Sequence, residues 1–349
     1  MDLTSLQRKY DDFYTPRFAV TIDGETYSES HGVITDVSVD ATLGGADRFS
    51  LSVNTLFDHE TQRFTDLDWE QFRTGASITI ELGYGDRLEE LLRGSIDEVM
   101  PRFPESGTPT VEVSGYGPLH DMAEGTDSDS WDETTDAEVV QEVADEYEFG
   151  SIVVDDTGVS RPKVVQDDES DFAFLQRLAE RNDAGNGPFE VYSSRGDFHF
   201  AASDDTGDPV VTLAYGDSLL SFEPKSKDVP KVETLEVRHW DPKRKESIVG
   251  TATNEGGEGK RVERQPVRSR AEADAVASAK LTKAARGRLT GRGETIGLPE
   301  LRIGEPIELG GLGDRYSATY YVTDTTHRVG TDGYTTQFEV RLPDGEALA

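Results

Sequence analysis

Residues 18–24, Phe-Ala-Val-Thr-Ile-Asp-Gly, place large apolar side chains at every second position and end in an Asp-Gly pair. A period of two buries one face of a strand, and Asp-Gly is a strong signal for a tight hairpin turn. The same alternation recurs along the first third of the chain, at residues 37–43, 49–53, 78–82, 94–99 and 111–113. Strands with one buried and one wet face favour an antiparallel sheet that closes on itself. The first part of the chain is therefore predicted to be a small β-barrel or sandwich, not a parallel α/β sheet.

The middle of the sequence has a different, partly helical pattern. Thr135 is followed three residues later by Glu138, a capping-box spacing that predicts a helix start, and a second helix is predicted after Ser170. An Asn186-Gly187 turn is expected to lead into a hairpin. Residues 118–200 are thus predicted to form a small α+β domain set into an otherwise β-rich chain.

Strand patterns return in the last third of the sequence. Ser269 and Glu272 repeat the capping-box spacing and predict a helix that ends near Gly287. Strands are predicted at residues 232–237, 289–296, 303–309, 318–325 and 334–342, and a turn of helix is predicted earlier, at 67–72.

Together these patterns predict a mainly β fold with an α+β insertion. The two β regions have similar numbers of strands, which indicates two related barrels with one small inserted domain. The predicted domains are a first barrel at 1–117, the inserted domain at 118–200, return strands to the first barrel with a linker at 201–231, and a second barrel with one helix at 232–349.

The composition predicts an extreme surface on a folded protein. The 349 residues include 69 Asp and Glu against 35 Lys and Arg, for a formal net charge of −34. No apolar run is long enough to cross a bilayer, and the N-terminus lacks the pattern of a signal peptide, so no membrane insertion is expected. The chain has no cysteine, which excludes disulfides, thiolate catalysis and zinc–thiolate sites.

The acidic excess is interpreted as a property of the whole chain, because acidic residues occur from end to end. A nucleic-acid binder needs a basic footprint, and none is expected over a whole domain. Repulsion at this net charge needs salt to screen it. Abundant acid, scarce lysine and the lack of cysteine favour a protein from a halophile with a salt-rich cytoplasm over the alternative of one functional acidic patch.

No residue pattern predicts catalysis. The six histidines do not fall in a metal-binding spacing, and the nucleophile-elbow, Walker and dinucleotide-binding motifs are missing. The acidic segment 127–133 is the best candidate for calcium, and Glu138 falls at the twelfth position of an EF-hand count from Asp127. Trp131 and Asp132 stand where that loop needs a ligand and a glycine, so a solvated loop is favoured. We therefore predict no catalytic, cofactor-binding or metal site, and the aromatic residues are interpreted mostly as core.

Ordered motifs along most of the chain resemble those of a known family. They include Asp171-Phe172-Ala173-Phe174-Leu175, His239-Trp240-Asp241-Pro242, Gly297-Leu298-Pro299-Glu300-Leu301, Tyr320-Tyr321-Val322-Thr323-Asp324 and Gly333-Tyr334-Thr335-Thr336-Gln337-Phe338. In this order they resemble the phage late control gene D family, the baseplate hub proteins of contractile tails and the hub part of type VI secretion spike proteins. The resemblance extends from about Pro16 to Pro343.

The resemblance implies two tail-tube-like β-barrels with an inserted domain, in a homotrimer. Three copies of two barrels make a pseudo-sixfold ring, which would adapt a sixfold tail tube to a threefold spike. The implied partners are a tail-tube protein ring, a separate spike protein and other baseplate components, with DNA or cargo passing through the lumen without specific binding.

The resemblance also implies a place for the chain. The particle would be a virion tail baseplate or an injection system, and the acidic composition indicates assembly in the cytoplasm of a haloarchaeal host. Contacts are expected at the terminal-barrel hairpin, at Tyr321, His327, Arg328 and Tyr334, for which ordinary barrel packing is the alternative.

Two functions of other classes stay open at this stage. A cell-wall or polysaccharide hydrolase associated with a tail would use paired carboxylates, which the sequence does not locate among 69 acidic residues. A carbohydrate-binding β protein would instead be a monomer with an exposed aromatic platform.

Overall fold

The computed structural model describes residues 1–65, 68–182, 188–205, 207–226, 232–242, 244–254, 257, 259–267, 269–285 and 289–343. Within these ranges the helices are α1 (Leu3–Lys9), α2 (Leu119–Ala123), α3 (Asp136–Ala144), α4 (Asp171–Asn182) and α5 (Arg270–Ala285). The strands up to the end of the inserted domain are β1 (Pro16–Ile22), β2 (Glu25–Ser28), β3 (Ile34–Thr42), β4 (Arg48–Val53), β5 (Phe57–Asp58), β6 (Arg63–Phe64), β7 (Ser77–Tyr84), β8 (Arg87–Arg102), β9 (Thr110–Tyr116), β10 (Ser130–Thr135), β11 (Ile152–Val154), β12 (Ser160–Val165), β13 (Phe189–Ser194) and β14 (Asp197–Ala202). The later strands are β15 (Val211–Ala214), β16 (Leu219–Ser226), β17 (Thr234–Asp241), β18 (Glu246–Thr253), β19 (Lys260–Arg264), β20 (Leu289–Ile296), β21 (Pro306–Gly310), β22 (Ala318–Gly330) and β23 (Gly333–Arg341).

Seven strands of the first third form one half of a large sheet, in the order β2-β1-β7-β8-β9-β4-β3. The β1–β2 hairpin turns at Asp23 and Gly24, whose φ angles are 45° and 88°. Two successive residues with positive φ are what a two-residue type I′ turn requires, and this turn matches the twist of the flanking strands. The hairpin predicted from the Asp-Gly pair is therefore confirmed.

Six later strands form the other half of the sheet, in the order β16-β20-β23-β22-β21-β15. Their neighbours are antiparallel except for the parallel pair of β15 and β21. The sequence assigns residues 201–231 to return strands of the first barrel, but β15 and β16 pair with β21 and β20 of the second half. Alternation predicts a strand equally well in either half, so it does not choose the strand's partner.

Strand β22 joins the two halves. Residues 318–321 pair with β21, whereas residues 324–329 pair with β3 of the first half. The register of β22 with β23 shifts between Val322 and Asp324, and such a bulge bends a strand. The result is one continuous 13-stranded sheet around a core cluster that draws buried residues from both halves. The predicted mainly β fold class with an α+β insertion is confirmed.

The inserted domain has a core of its own. It contains a two-stranded sheet of β10 and β12, a three-stranded sheet in the order β11-β14-β13, and helices α2, α3 and α4. Thr135 Oγ1 accepts a hydrogen bond from Glu138 N at 3.2 Å, and Glu138 Oε2 accepts one from Thr135 N at 2.8 Å. This reciprocal pair is the predicted capping box. The domain's buried residues include Val139, Val140, Phe174, Phe198 and Phe200.

Residues 234–285 form a third unit, in which α5 covers one face of the sheet β18-β17-β19. Leu235, Val237 and Ile248 pack there against the helix, and a Cβ at Gly250 would lie 2.1 Å from the carbonyl carbon of Ala273. Glycine is therefore what lets α5 lie this close to β18. The sequence assigns this segment to the second barrel, but its strands pair only with one another within the described residues. Their alternating pattern is the same as that of barrel strands, so it gives no sign of this separation.

Three local expectations have other outcomes. The turn of helix predicted at 67–72 is replaced by turns in its described part, residues 68–72. The turn at Asn186-Gly187 and the helix end at Gly287 lie outside the described residues. Helix α1 has no counterpart in the prediction. Among the described residues, no helix combines the length and the hydrophobicity that a membrane span needs.

Candidate assembly surfaces

The four residues predicted as contacts lie on β22 and β23, where the two halves of the sheet meet. Tyr321, His327 and Tyr334 are buried inside the chain, and only Arg328 has an exposed side chain. A role for these residues between chains stays a prediction, but all four already have partners within the chain.

His327 is held by three hydrogen bonds. Its Nε2 lies 3.0 Å from the carbonyl oxygen of Leu301, which can only accept, so Nε2 carries the proton. Its Nδ1 then accepts, from Tyr334 Oη at 3.0 Å and Thr336 Oγ1 at 3.1 Å. Burial lowers the pKa of His327 to about 4, because the charged imidazolium loses its hydration. This histidine is a neutral packing group at pH 7.

Tyr321 fastens the inserted domain to the terminal hairpin. Its hydroxyl donates to Glu190 Oε2 at 2.7 Å, and Arg341 donates to Glu190 Oε1 at 2.6 Å and to Asp205 Oδ1 at 3.1 Å. The Arg341 guanidinium also lies over the Tyr321 ring, 4.4 Å from its centroid. Burial, reinforced by the Glu190 charge, raises the pKa of Tyr321. These contacts fix the position of the inserted domain.

Arg328 is the accessible member of the four. Its Nη2 lies 3.3 Å from Asp36 Oδ1, in an exposed pair that crosses from β22 to β3. Exposed pairs of this kind contribute only about 0–1 kcal/mol to stability. Arg328 can therefore exchange Asp36 for a partner outside the chain at little cost.

The N-terminal segment, residues 1–10, connects the two halves of the sheet, and the sequence did not predict this connection. Leu6 and Tyr10 of this segment are buried, and Tyr10 Oη donates to Glu300 Oε1 at 2.8 Å. Lys9 Nζ lies 2.8 Å from the same oxygen and 2.7 Å from Glu89 Oε1. The segment thus bridges β8 in the first half and the loop before β21 in the second. The available signal was the apolar spacing of four between Leu6 and Tyr10.

An exposed aromatic cluster lies beside the end of β8, and we call it the aromatic tip. The rings of Phe57 and Phe64 lie 5.2 Å apart, and Phe103 lies within 5.7 Å of both. Trp69 lies 5.8 Å from Phe64 and is 44% exposed, and Phe103 is 60% exposed. Leu56 is exposed nearby in sequence. The sequence predicts that the aromatic residues are mostly core, whereas these rings form an apolar patch of the kind that marks interaction sites.

The candidate calcium segment has other structural roles. Residues 130–135 form strand β10, and the Glu138 carboxylate is used in the capping box with Thr135. Among the described residues there is no group of three or more His, Asp or Glu side chains placed to hold a metal ion.

A groove of about 750 Å³ separates the inserted domain from the 234–285 unit. Its walls carry arginines from the inserted domain and both charges from β19 and α5; they include Arg161, Arg177, Arg181, Arg261, Glu263 and Lys280. Arg161 and Arg181 both pair with the fully buried Asp136. These two arginines are thus held in the structure of the inserted domain.

The comparison with protein families gives one match that covers most of the chain. The family model described as the Alg8 N-terminal domain matches residues 13–331. The chain belongs to the Alg8 N-terminal domain family. That description differs from the late control gene D family, which the sequence motifs resemble, and it states no activity. No curated protein matches the chain.

This member of the Alg8 N-terminal domain family has the fold of phage tail proteins. It is similar to the 43 kDa tail protein of prophage MuSo2 from Shewanella oneidensis, with 15% identity, a TM-score of 0.76, and coverage of 95% of this chain and 99% of that one. A tail protein from Neisseria meningitidis MC58 has 12% identity, a TM-score of 0.68, and coverage of 94% and 96%. The E. coli c3393 protein, a component of the type VI secretion system, has 13% identity, a TM-score of 0.55, and coverage of 90% and 74%. At these identities the likeness establishes the fold.

Proposed function

We propose that this chain is a structural baseplate hub protein of a tailed virus or contractile injection system. The single observation that carries the proposal is the end-to-end likeness to the MuSo2 tail protein, which spans 95% of this chain and 99% of that one. The likeness to a type VI secretion component supports the inclusion of injection systems. Kinship with the late control gene D family remains part of this proposal.

The proposed role is that of a symmetry adaptor. Each chain carries two β halves of seven and six strands, joined where part of β22 pairs with β3. Three chains in a ring would offer six similar halves to a sixfold tail tube on one side, and threefold symmetry to a separate spike on the other. Closed rings form when heterologous contacts repeat with a rotation that closes.

The proposed partners are the tail-tube ring, the spike and other baseplate components, in a virion tail baseplate or injection particle. The aromatic tip supports a role in assembly, because an exposed apolar cluster on a highly charged chain fits a protein partner better than water. DNA or cargo would pass through the lumen without specific binding. The mechanism is mechanical, and we propose that this chain makes and breaks no covalent bond.

The first test is the mass of the purified chain by light scattering in concentrated KCl. The expected mass is three times the 38.4 kDa of the chain. A single-chain mass together with turnover of cell-wall glycan would contradict the hub and favour the tail-associated hydrolase. A single-chain mass with glycan binding but no turnover would favour a carbohydrate-binding protein.

A further inference from the structure

Charge is divided unevenly along the chain. Residues 227–288, between β16 and β20, contain 15 Lys and Arg against 10 Asp and Glu, whereas the other 287 residues contain 20 against 59. The inserted domain, residues 118–200, contains 5 against 22. The sequence as a whole indicates that acid is spread from end to end with no basic domain, and residues 227–288 depart from that expectation.

The basic excess includes one uncovered face of the sheet β18-β17-β19. Helix α5 covers the opposite face, where Leu235, Val237 and Ile248 are buried. Because neighbouring side chains on a strand alternate, the open face carries the residues between these. We call it the basic face; its exposed residues on β17 and β19 are Arg238, Trp240, Lys260, Val262 and Arg264, and the buried Glu236 lies among them.

Charge and apolar surface are combined on the basic face. Trp240 is 60% exposed and Val262 is 45% exposed. Arg238 is paired directly with Arg264 across β17 and β19, which brings two cationic side chains together. A face that combines cations with an exposed indole has the composition of an interface anchored by an aromatic residue and arginine.

The one acidic residue in the middle of this face leaves it positive. Glu236 accepts from Arg238 on one carboxylate oxygen and from Lys260 on the other. These two hydrogen bonds lower the pKa of Glu236, so it stays ionised and offsets only one of the two cations. Arg264 makes no ion pair with any described residue, so its charge is available to a partner.

The chain's own acidic domain cannot cover the basic face. The inserted domain faces this unit across the groove lined by Leu235, Val276 and Lys280, which is the α5 side of the sheet. The basic face points to the opposite side. A complementary acidic surface must therefore come from another molecule.

We propose that the basic face binds the acidic inserted domain of a second copy of this chain. The proposal rests on the trimer of the proposed function and names one of the contacts that would hold it together. The two surfaces differ, so the contact is heterologous, and heterologous contacts that close give rings and not twofold dimers. Opposite charges would also fix the register, since like-charged alternatives are penalised.

Charge complementarity favours a protein partner over nucleic acid. The inserted domain contains 22 acidic residues against 5 basic ones, and it is present at the same concentration as the basic face. A long polyanion such as DNA would extend beyond the basic face, and the rest of the chain, with 59 acidic residues outside the 227–288 segment, would repel it. Binding of duplex DNA is therefore the competing outcome of the experiment.

The experiment compares the full-length chain with Arg238→Glu/Arg264→Glu by light scattering over a range of protein concentrations. The matched control is Arg87→Glu/Arg315→Glu, which changes two exposed arginines outside the basic face by the same charge. The KCl concentration is the lowest at which circular dichroism melting gives the native transition, because salt screens the attraction. Wild type and control are expected to have a three-chain mass, and the reversed variant a dissociation constant raised by about tenfold or more.

Each result has a separate meaning. A three-chain mass for the reversed variant, with unchanged affinity, overturns the proposed contact and leaves the hub intact. A single-chain wild type overturns the trimer of the proposed function, and the contact with it. Should the reversed variant not fold, Arg238→Gln/Arg264→Gln replaces it, and unchanged association then overturns the contact. If the reversed variant loses the wild-type binding to a fluorescent DNA duplex but keeps the three-chain mass, the face is assigned to nucleic acid instead.

Discussion

At the scale of the residue, Asp47 is a buried carboxyl group with an incomplete set of hydrogen bonds. It is buried where the β3–β4 turn meets the inserted domain, and Ser193 Oγ donates to its Oδ2 at 2.5 Å. Its Oδ1 has no hydrogen-bond partner among the described residues. Burial raises the pKa of Asp47 to about 7, because the ionised carboxylate loses its hydration. The folded chain therefore keeps a proton that the unfolded chain has lost, and stability falls as pH rises from 3.8 to about 7.

Replacing Asp47 with asparagine should remove that pH dependence. Asp47→Asn keeps an acceptor for the Ser193 hydroxyl but cannot ionise. The free energy of unfolding of the variant minus that of wild type should become more positive from pH 4.5 to pH 8, by on the order of 3 kcal/mol. This follows because one pKa unit corresponds to about 1.4 kcal/mol. Denaturant unfolding at several pH values measures the difference, with the exposed Asp129→Asn as control. Parallel pH profiles for Asp47→Asn and wild type would refute the assignment.

At the scale of the element, α1 depends on its contacts with the rest of the fold. A helix of seven residues is not stable alone, since nucleation is costly. It is held by the burial of Leu6, by the N-cap of Asp2, whose Oδ1 accepts from Ser5 N at 2.9 Å, and by the Tyr10 hydroxyl on Glu300. Because Glu300 belongs to the second half and Glu89 to the first, this element braces the joint made by β22.

Loss of one hydroxyl should loosen the brace. Tyr10→Phe leaves the Glu300 carboxylate, whose Oε2 already lacks a hydrogen-bond partner among the described residues, with one donor fewer. We expect a loss of about 1–3 kcal/mol in the free energy of unfolding. Tyr14→Phe is the matched control, because Tyr14 is 86% exposed and should have no effect. Equal melting temperatures for the two variants would mean that the Tyr10 bond does not brace the joint.

Elements with a local cause were predictable from the sequence, and those with a distant cause were not. The Asp23-Gly24 turn and the caps at Thr135 and Ser269 depend on residues one to three positions apart; Ser269 Oγ does accept from Glu272 N, at 3.1 Å. Strand partners depend on residues hundreds of positions apart, as in the pairing of Val39 with His327. The sequence therefore predicts most strands, but it assigns β15–β19 to sheets other than those in which they pair.

The same distinction applies to the candidate surfaces. The aromatic tip draws on positions 57, 64, 69 and 103, whose spacing in sequence gives no common face. The basic face becomes visible only in the sheet, where β17 and β19 are parallel neighbours although β18 separates them in sequence. His327 and Tyr334 are assigned correctly to one hairpin, but their burial depends on Leu301 and on the opposite half of the sheet.

At the scale of the whole molecule, net charge sets the conditions for stability. The chain carries −34, and its acid is concentrated outside residues 227–288, so repulsion acts mainly within the large sheet and the inserted domain. The Debye length, the distance beyond which charges are largely screened from one another, is roughly 8 Å at 0.15 M salt and 3 Å at 1 M. Long-range repulsion across these units is therefore removed at molar salt, while direct ion pairs such as Arg341–Glu190, both largely buried, are screened much less.

The melting temperature should accordingly rise with salt. Between 0.2 M and 3 M KCl we expect an increase of about 5 °C or more, equivalent to about 4 kcal/mol for a chain of 349 residues with an unfolding entropy of about 2.1 cal/mol/K per residue. Circular dichroism melts across a KCl series measure it, and sucrose at matched osmolality controls for exclusion of solute from the surface. A rise in KCl alone would support charge screening and the halophilic origin. If the melting temperature does not depend on KCl, or rises equally in sucrose, the acidic surface is tolerated without charge screening. Either result would remove the argument for a salt-rich cytoplasm.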